Sequence, residues 1–353
     1  MTRSSVIDPY SFPMILKDVD LGMYLVESKI PTDASSLKTV QLMLDNNVFK
    51  IAAANPDIFC QKMGWYYGID SVVSLNPALA IVEQFLSNSQ SNALKHLAKF
   101  EAAFVPLDIF PKGYSKAILQ DVLRLESELR QQVGFFFCFV ALLRHYYLSP
   151  VDDDILRRWT DLFSLDIPRS AFVYWIGAIF LLSRKDSKLK FHLQDFSLEK
   201  FSKNFCTFRK EEGEDYTRWL RNRVFDLLLF SLSPTLSFEK FGGIPSRVIL
   251  ATKDKFVGEF IGKFFAWNGE TQPGNAWPLA PLLHKLDVQS DTTHEWINQL
   301  VANFPEPRGT PTAQMKISRM KVLVDFALSE ISEKERYDLH LALYEFRVFE
   351  QLK

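Results

Sequence analysis

Val40-Gln41-Leu42-Met43-Leu44-Asp45-Asn46-Asn47-Val48-Phe49 is a short apolar run closed by a carboxylate, with two amides directly behind it. The run predicts a buried strand over 40–44. An acid at the carboxyl end of such a strand stands where open α/β sheets bind their ligands. A matching stretch lies far downstream, in Val248-Ile249-Leu250-Ala251-Thr252-Lys253-Asp254-Lys255-Phe256. Two strand-end aspartates in one chain point to a metal site rather than to surface decoration.

Reading outward from the first stretch, Val48–Ala54 predicts a short helix that stops before Asn55-Pro56. Ser71–Leu75 predicts a second strand. Asn76-Pro77 then offers a cap and a first helical position for a helix over Pro77–Leu86, which carries Glu83. Strand, helix, strand, helix is the order of a parallel α/β unit. From about residue 88 the alternation stops. Asn92–Phe104, Ser115–Leu148, Val151–Phe163, Pro168–Leu182 and Leu193–Arg209 have helical spacing and propensity. Glu214–Leu232 is a further helix. A Pro/Gly loop containing Gly242-Gly243 leads to a strand over 247–252 and a helix over Lys253–Phe265. After a turn at Gly269–Pro273 the chain is helical again, over Thr293–Asn303, Thr312–Ser329 and Ser332–Leu352. The expected division is a lead-in (1–39), an α/β core (40–87 and 215–266), a helical insertion (88–214) and a C-terminal helical region (267–353).

The bulk composition sets limits on function. The chain has 353 residues, enough for a sizeable core. With 41 basic and 42 acidic residues it has no global basic field, so nucleic acid would need a local patch. The 31 Phe predict aromatic packing between helices. Cys60, Cys138 and Cys206 are dispersed and odd in number, which favours a reducing, cytoplasmic setting over a disulfide framework. Met1–Pro13 lacks the pattern of a secretory leader. The apolar runs Val133–Leu143 and Ala171–Leu182 are shorter than the roughly 18 residues of a membrane span, so no membrane role is expected. There is no His-x-x-x-His or Cys-pair zinc spacing, no Gly-x-Ser-x-Gly elbow and no Gly-x-x-x-x-Gly-Lys phosphate loop.

Four acids stand out against that background. Asp45 and Asp254 end strands, and Glu83 lies mid-helix after the second strand. Asp226 sits within Arg223-Val224-Phe225-Asp226-Leu227-Leu228-Leu229, where an ionised carboxylate is costly unless it is paired or bound to metal. In this order the chain resembles the PIN-domain nucleases: a strand ending in Asp followed by a polar residue and Asn, then a Glu, then an Asp on a later helix, then a strand closing in Thr-x-Asp. The matching residues here are Asp45-Asn46-Asn47, Glu83, Asp226 and Thr252-Lys253-Asp254. Asn46 stands where that family usually has Thr or Ser.

The resemblance covers about 40–87 and 215–266. It implies a PIN-like three-layer α/β core with a mostly parallel sheet, enlarged by the helical insertion and the C-terminal helices. It also implies a metal-dependent nuclease with RNA favoured over DNA, products bearing 5′-phosphate and 3′-hydroxyl ends, and a bacterial toxin or defence role. Asp45, Glu83, Asp226 and Asp254 would hold Mg²⁺ or Mn²⁺, because converging carboxylates repel one another until a hard cation neutralises them. Asn47 and Thr252 would orient those ligands or touch phosphate.

Other readings of the same residues stand beside this one. Asp45 and Asp254 are good helix caps, and Asp226 could pair with Arg221 or Arg223. Arg218, Arg221 and Arg223 around Trp219, with Lys253 and Lys255, could grip a phosphate backbone or could be solvated helix faces. The competing function is a non-catalytic helical protein-interaction protein on a degenerate PIN-like scaffold, with the insertion as the surface for a protein partner.

Overall fold

The computed structural model describes residues 15–29, 39–67, 72–87, 90–107, 113–151, 154–191, 197–209, 212–233, 236, 246–267, 279–304 and 311–353. Among them, five strands form the main sheet: β1 (Ile15–Asp18), β2 (Met23–Lys29), β3 (Thr39–Leu44), β4 (Val72–Asn76) and β6 (Arg247–Thr252). The two-residue strand β5 (Lys190–Phe191) lies elsewhere. The sheet order is β1-β2-β6-β3-β4. The pairs β6/β3 and β3/β4 are parallel, with Leu42 opposite Ile249 on one side and Leu75 on the other. Every residue of β6, and all of β3 but its first, is buried, as expected of parallel strands covered on both faces.

Two helices, α1 (Asn46–Ala54) and α2 (Pro56–Tyr67), carry the chain from β3 to β4. Asn55 caps the first and Pro56 opens the second, where its missing N–H costs nothing. The side chain of Asn76 accepts the Ala78 N–H at 2.8 Å and so turns β4 into α3 (Ala78–Ser87). Next come α4 (Gln90–Phe104) and α5 (Tyr114–Arg124). The Phe49 ring of α1 stacks on Phe100 of α4 with centroids 4.5 Å apart.

The described part of the expected lead-in contains β1 and β2. They form an antiparallel hairpin laid against β6, with Leu25 opposite Ala251. The sheet is therefore mixed rather than wholly parallel. The hairpin turn is built locally: the Asp18 carboxylate accepts the Leu21 N–H at 2.8 Å, and Gly22 takes the left-handed conformation at φ +60°. Residues 23–27 are all buried, so the strand lacks the polar alternation that marks a half-exposed one.

The remaining helices are α6 (Glu126–Leu148), α7 (Ile155–Leu162), α8 (Ala171–Lys185), α9 (Leu198–Cys206), α10 (Tyr216–Leu232), the short α11 (Gly262–Phe264), α12 (Asp291–Ala302), α13 (Ala313–Glu330) and α14 (Glu333–Glu345). The single helix expected over Ser115–Leu148 is broken at Leu125 into α5 and α6. A π-helical turn over Phe256–Ile261 replaces most of the regular helix expected after β6. The Gly242-Gly243 loop and the Gly269–Pro273 turn lie outside the described residues.

The chain divides into two compact units, 1–126 with 226–269 and 127–225 with 270–353. The first holds the sheet together with α1–α5. The second joins most of the expected insertion to the C-terminal region. The packing of α6 explains this union. Val348 lies so close to Gly134 that an added Cβ would come within 2.5 Å of its side chain. The Arg130 guanidinium donates to the Phe346 carbonyl at 2.8 Å, and the Phe137 and Phe346 rings meet edge to face at 5.0 Å. Val133–Leu143 and Ala171–Leu182 are core segments of α6 and α8. No described helix is long and apolar enough to cross a membrane.

Candidate functional site around Asp45 and Glu83

Asp45 stands where the sheet order reverses, at the carboxyl ends of the parallel strands β3 and β6. It is 2% exposed. One oxygen, Oδ1, accepts the Val48 N–H at 2.6 Å and so caps α1. The other, Oδ2, accepts the Thr252 hydroxyl at 2.6 Å and the Lys253 N–H at 3.1 Å. Burial raises the pKa of this carboxyl despite the donors from Thr252, Val48, Lys253 and Asn47 that favour its ionised form. Thr252 is fully buried, and its Oγ1 also accepts the Asp254 N–H at 2.9 Å.

Glu83 comes from α3, one crossover away. Its Oε1 accepts Nδ2 of Asn46 at 3.3 Å. Burial first, then the charge of Asp45, pushes its pKa from the ordinary 4.5 to about 7, while the Asn46 bond and the Lys50 charge pull the other way. No Lys or Arg forms an ion pair with Asp45 or Glu83 among the described residues. The Oδ1 atom of Asn46 is buried and has no hydrogen-bond partner among them. Two adjacent carboxyls and an orphaned carbonyl oxygen are all hard oxygen donors. That set fits Mg²⁺ or Mn²⁺, which protein sites commonly hold by one or two carboxylates with water completing the shell.

The other expected acids are placed as follows. Asp254 begins the turn after β6, and its Oδ1 caps that turn by accepting the Val257 N–H at 3.0 Å. Its charge, with that of Glu259, contributes to raising the pKa of Tyr24, an effect in which burial is the largest cause. The Tyr24 hydroxyl donates to Glu259. Asp226 is partly buried on α10. Among the described residues no three His, Cys, Asp or Glu side chains lie together as a metal-holding group. The charge of Asp45 acts on Glu83. Asn47 is exposed and contributes its backbone N–H to Asp45.

Within the basic run on α10, Arg223 and Trp219 neither face solvent nor are placed to grip a phosphate. Arg223 is fully buried, and its guanidinium pairs with Glu212 at 3.0 Å. Trp219 is also fully buried and donates to the Phe205 carbonyl at 3.0 Å, so it offers no face to a base. The reason is helical spacing: Leu220, Val224 and Leu227 form the buried stripe that includes Arg223. Arg221 pairs with Glu345 at 2.9 Å. Arg218, Lys253 and Lys255 are exposed.

Lys50, whose charge acts on Glu83, and Tyr24 and Glu259, near Asp254, are residues the sequence did not single out. Asn46 and Lys50 are one helical turn apart, a spacing that aligns them on α1 once its start is known. Tyr24 lies on a strand the sequence does not announce.

The Glu83 shift has a consequence for stability. Between pH 4.5 and about pH 7 the folded protein keeps a proton that the unfolded chain has lost, so stability falls as pH rises through that window. Glu83→Gln removes the titration and leaves an acceptor for Asn46. Relative to wild type in EDTA, the variant is expected to gain roughly 3 kcal/mol between pH 4 and pH 8. Urea denaturation at both pH values measures it, and parallel pH dependences of variant and wild type would refute it.

Comparison with protein-family models, curated proteins and solved structures finds no match to this chain.

Proposed function

We propose that this protein is a metal-dependent nuclease with a PIN-like core, cutting phosphodiester bonds in RNA in preference to DNA. The observation that carries the reading is the Asp45–Glu83 pair: a buried carboxyl at the end of a central parallel strand and a second on α3 that feels its charge, with no ion pair to neutralise them among the described residues. An acid pair of that kind is costly to keep buried, and a hard divalent cation removes the cost. Bound Mg²⁺ or Mn²⁺ supplies charge neutralisation at the scissile phosphate and makes water a stronger nucleophile.

The chain's own residues supply the positioning. The Val48 and Lys253 N–H groups and the Thr252 hydroxyl hold Asp45 in one orientation, with Oδ2 accepting two of these bonds and Oδ1 the third. Through Thr252 the backbone of Asp254 is tied to Asp45, which keeps the two strand ends in register. The family resemblance adds Asp226 and Asp254 as further ligands, and extends the reading to a cytoplasmic toxin or defence effector by analogy alone.

The competing reading is a scaffold whose acids only cap helices. It is favoured by the caps that Asp45 and Asp254 both make, but it leaves the placement of Glu83 unexplained. The two readings separate in one assay. Purified protein with end-labelled single-stranded RNA and DNA is expected to cleave in Mn²⁺, to stop in EDTA and to resume when Mn²⁺ is restored. No cleavage of either substrate in Mn²⁺ or Mg²⁺ would overturn the nuclease reading.

A further inference from the structure

We infer that Asn46 is a third cation ligand through its Oδ1 atom, an inference that rests on the metal reading above. A cation at this site keeps Glu83 ionised, and an ionised carboxylate can only accept hydrogen bonds. The amide must therefore turn its Nδ2 toward Glu83, as it does at 3.3 Å. That fixes Oδ1 on the other side of the amide, where it is buried with no donor among the described residues. A buried acceptor left unmet costs on the order of 1–3 kcal/mol. A hard cation beside Asp45 and Glu83 meets that need with the atom type it prefers. Asn46 is the first residue of α1, directly after the capping Asp45, so its backbone cannot swing away without breaking the cap. A Ser or Thr here has a single hydroxyl, without the separate N–H donor and carbonyl oxygen that the Asn46 amide provides.

Mn²⁺ binding to the full chain, followed by electron paramagnetic resonance of the free ion, tests this without relying on cleavage. Asn46→Leu removes the donor atom and is expected to weaken Mn²⁺ by about ten-fold or more. Asn46→Asp keeps the oxygen and adds charge, and is expected to tighten Mn²⁺ by a similar factor. Lys50→Met changes the local charge by the same single unit without supplying an oxygen, so it measures the field effect alone. Tightening by Asn46→Asp no greater than that of Lys50→Met overturns the inference. Weakening by both Asn46 variants also overturns it, since it makes Asn46 a support for Glu83 through its N–H. Equal Mn²⁺ affinity in all forms, with cleavage intact, sinks Asn46 as a ligand and leaves the nuclease reading standing. Absence of Mn²⁺ and Mg²⁺ binding by the wild type removes both. Urea unfolding in EDTA confirms that each variant is folded.

Discussion

Asn in place of Asp45 is expected to reduce Mn²⁺-dependent cleavage of single-stranded RNA by on the order of 10²-fold or more. Loss of a partner that merely supports a metal ligand already costs 10–100-fold, and a ligand itself costs no less. Asp45 meets four donors through two oxygens: the Thr252 hydroxyl and the Val48, Lys253 and Asn47 N–H groups. An Asn side chain can keep the Val48 cap through its single oxygen. Its NH₂ group then faces Thr252 and Lys253, and the Lys253 N–H loses its acceptor. A stability loss of about 1–3 kcal/mol should accompany the change. The variant must therefore be compared at a temperature where circular dichroism shows it folded. Cleavage by folded Asp45→Asn at the wild-type rate would remove Asp45 from the chemistry and leave it as a helix cap.

The second large effect lies in the helical unit. Arg223→Met is expected to destabilise the protein by about 3–5 kcal/mol, because it strands a charge in the core. Glu212 is 3% exposed. Burial works against its ionised form, but the Arg209 N–H, the Asn222 amide and Arg223 outweigh burial and hold its pKa below the usual range. The guanidinium grips both carboxylate oxygens, at 3.0 and 3.2 Å, and also donates to the Phe205 carbonyl at 2.9 Å. Removing Glu212 as well, in Arg223→Met/Glu212→Met, should restore much of the loss, since taking out both charges is far cheaper than orphaning one. Arg218→Met on the exposed face should stay within about 0.5 kcal/mol of wild type. Urea unfolding of the three variants decides the matter. An Arg223→Met variant as stable as Arg218→Met would show that the pair contributes nothing.

The strands over 40–44 and 247–252 are readable because parallel strands buried on both faces are continuous apolar runs with sharp polar ends. The second opens on a charged residue, Arg247, whose guanidinium is satisfied by Glu27 at 2.8 Å from the neighbouring strand β2. The capping roles of Asp45 and Asn76 are readable for a similar reason, since each acts on a backbone N–H two or three residues away. The hairpin β1–β2 is not, because its apolar run is cut short by Glu27, whose partner Arg247 is far away in the sequence, and because prolines flank it. Nor is the fate of Arg223, whose partner Glu212 follows from how the loop before α10 folds back.

From the sequence alone come the parallel strand pair, the helices that follow each strand and the acids at their ends, all of which depend on contacts between near neighbours in the chain. The tertiary structure alone decides which of those acids meet. It brings Glu83 within reach of the Asp45 charge across a crossover, joins it to the Asn46 amide, makes Asp254 the cap of its own turn and withdraws Arg223 into the core. Those outcomes depend on desolvation and on pairs of side chains distant in sequence. Periodicity and capping rules carry no information about either.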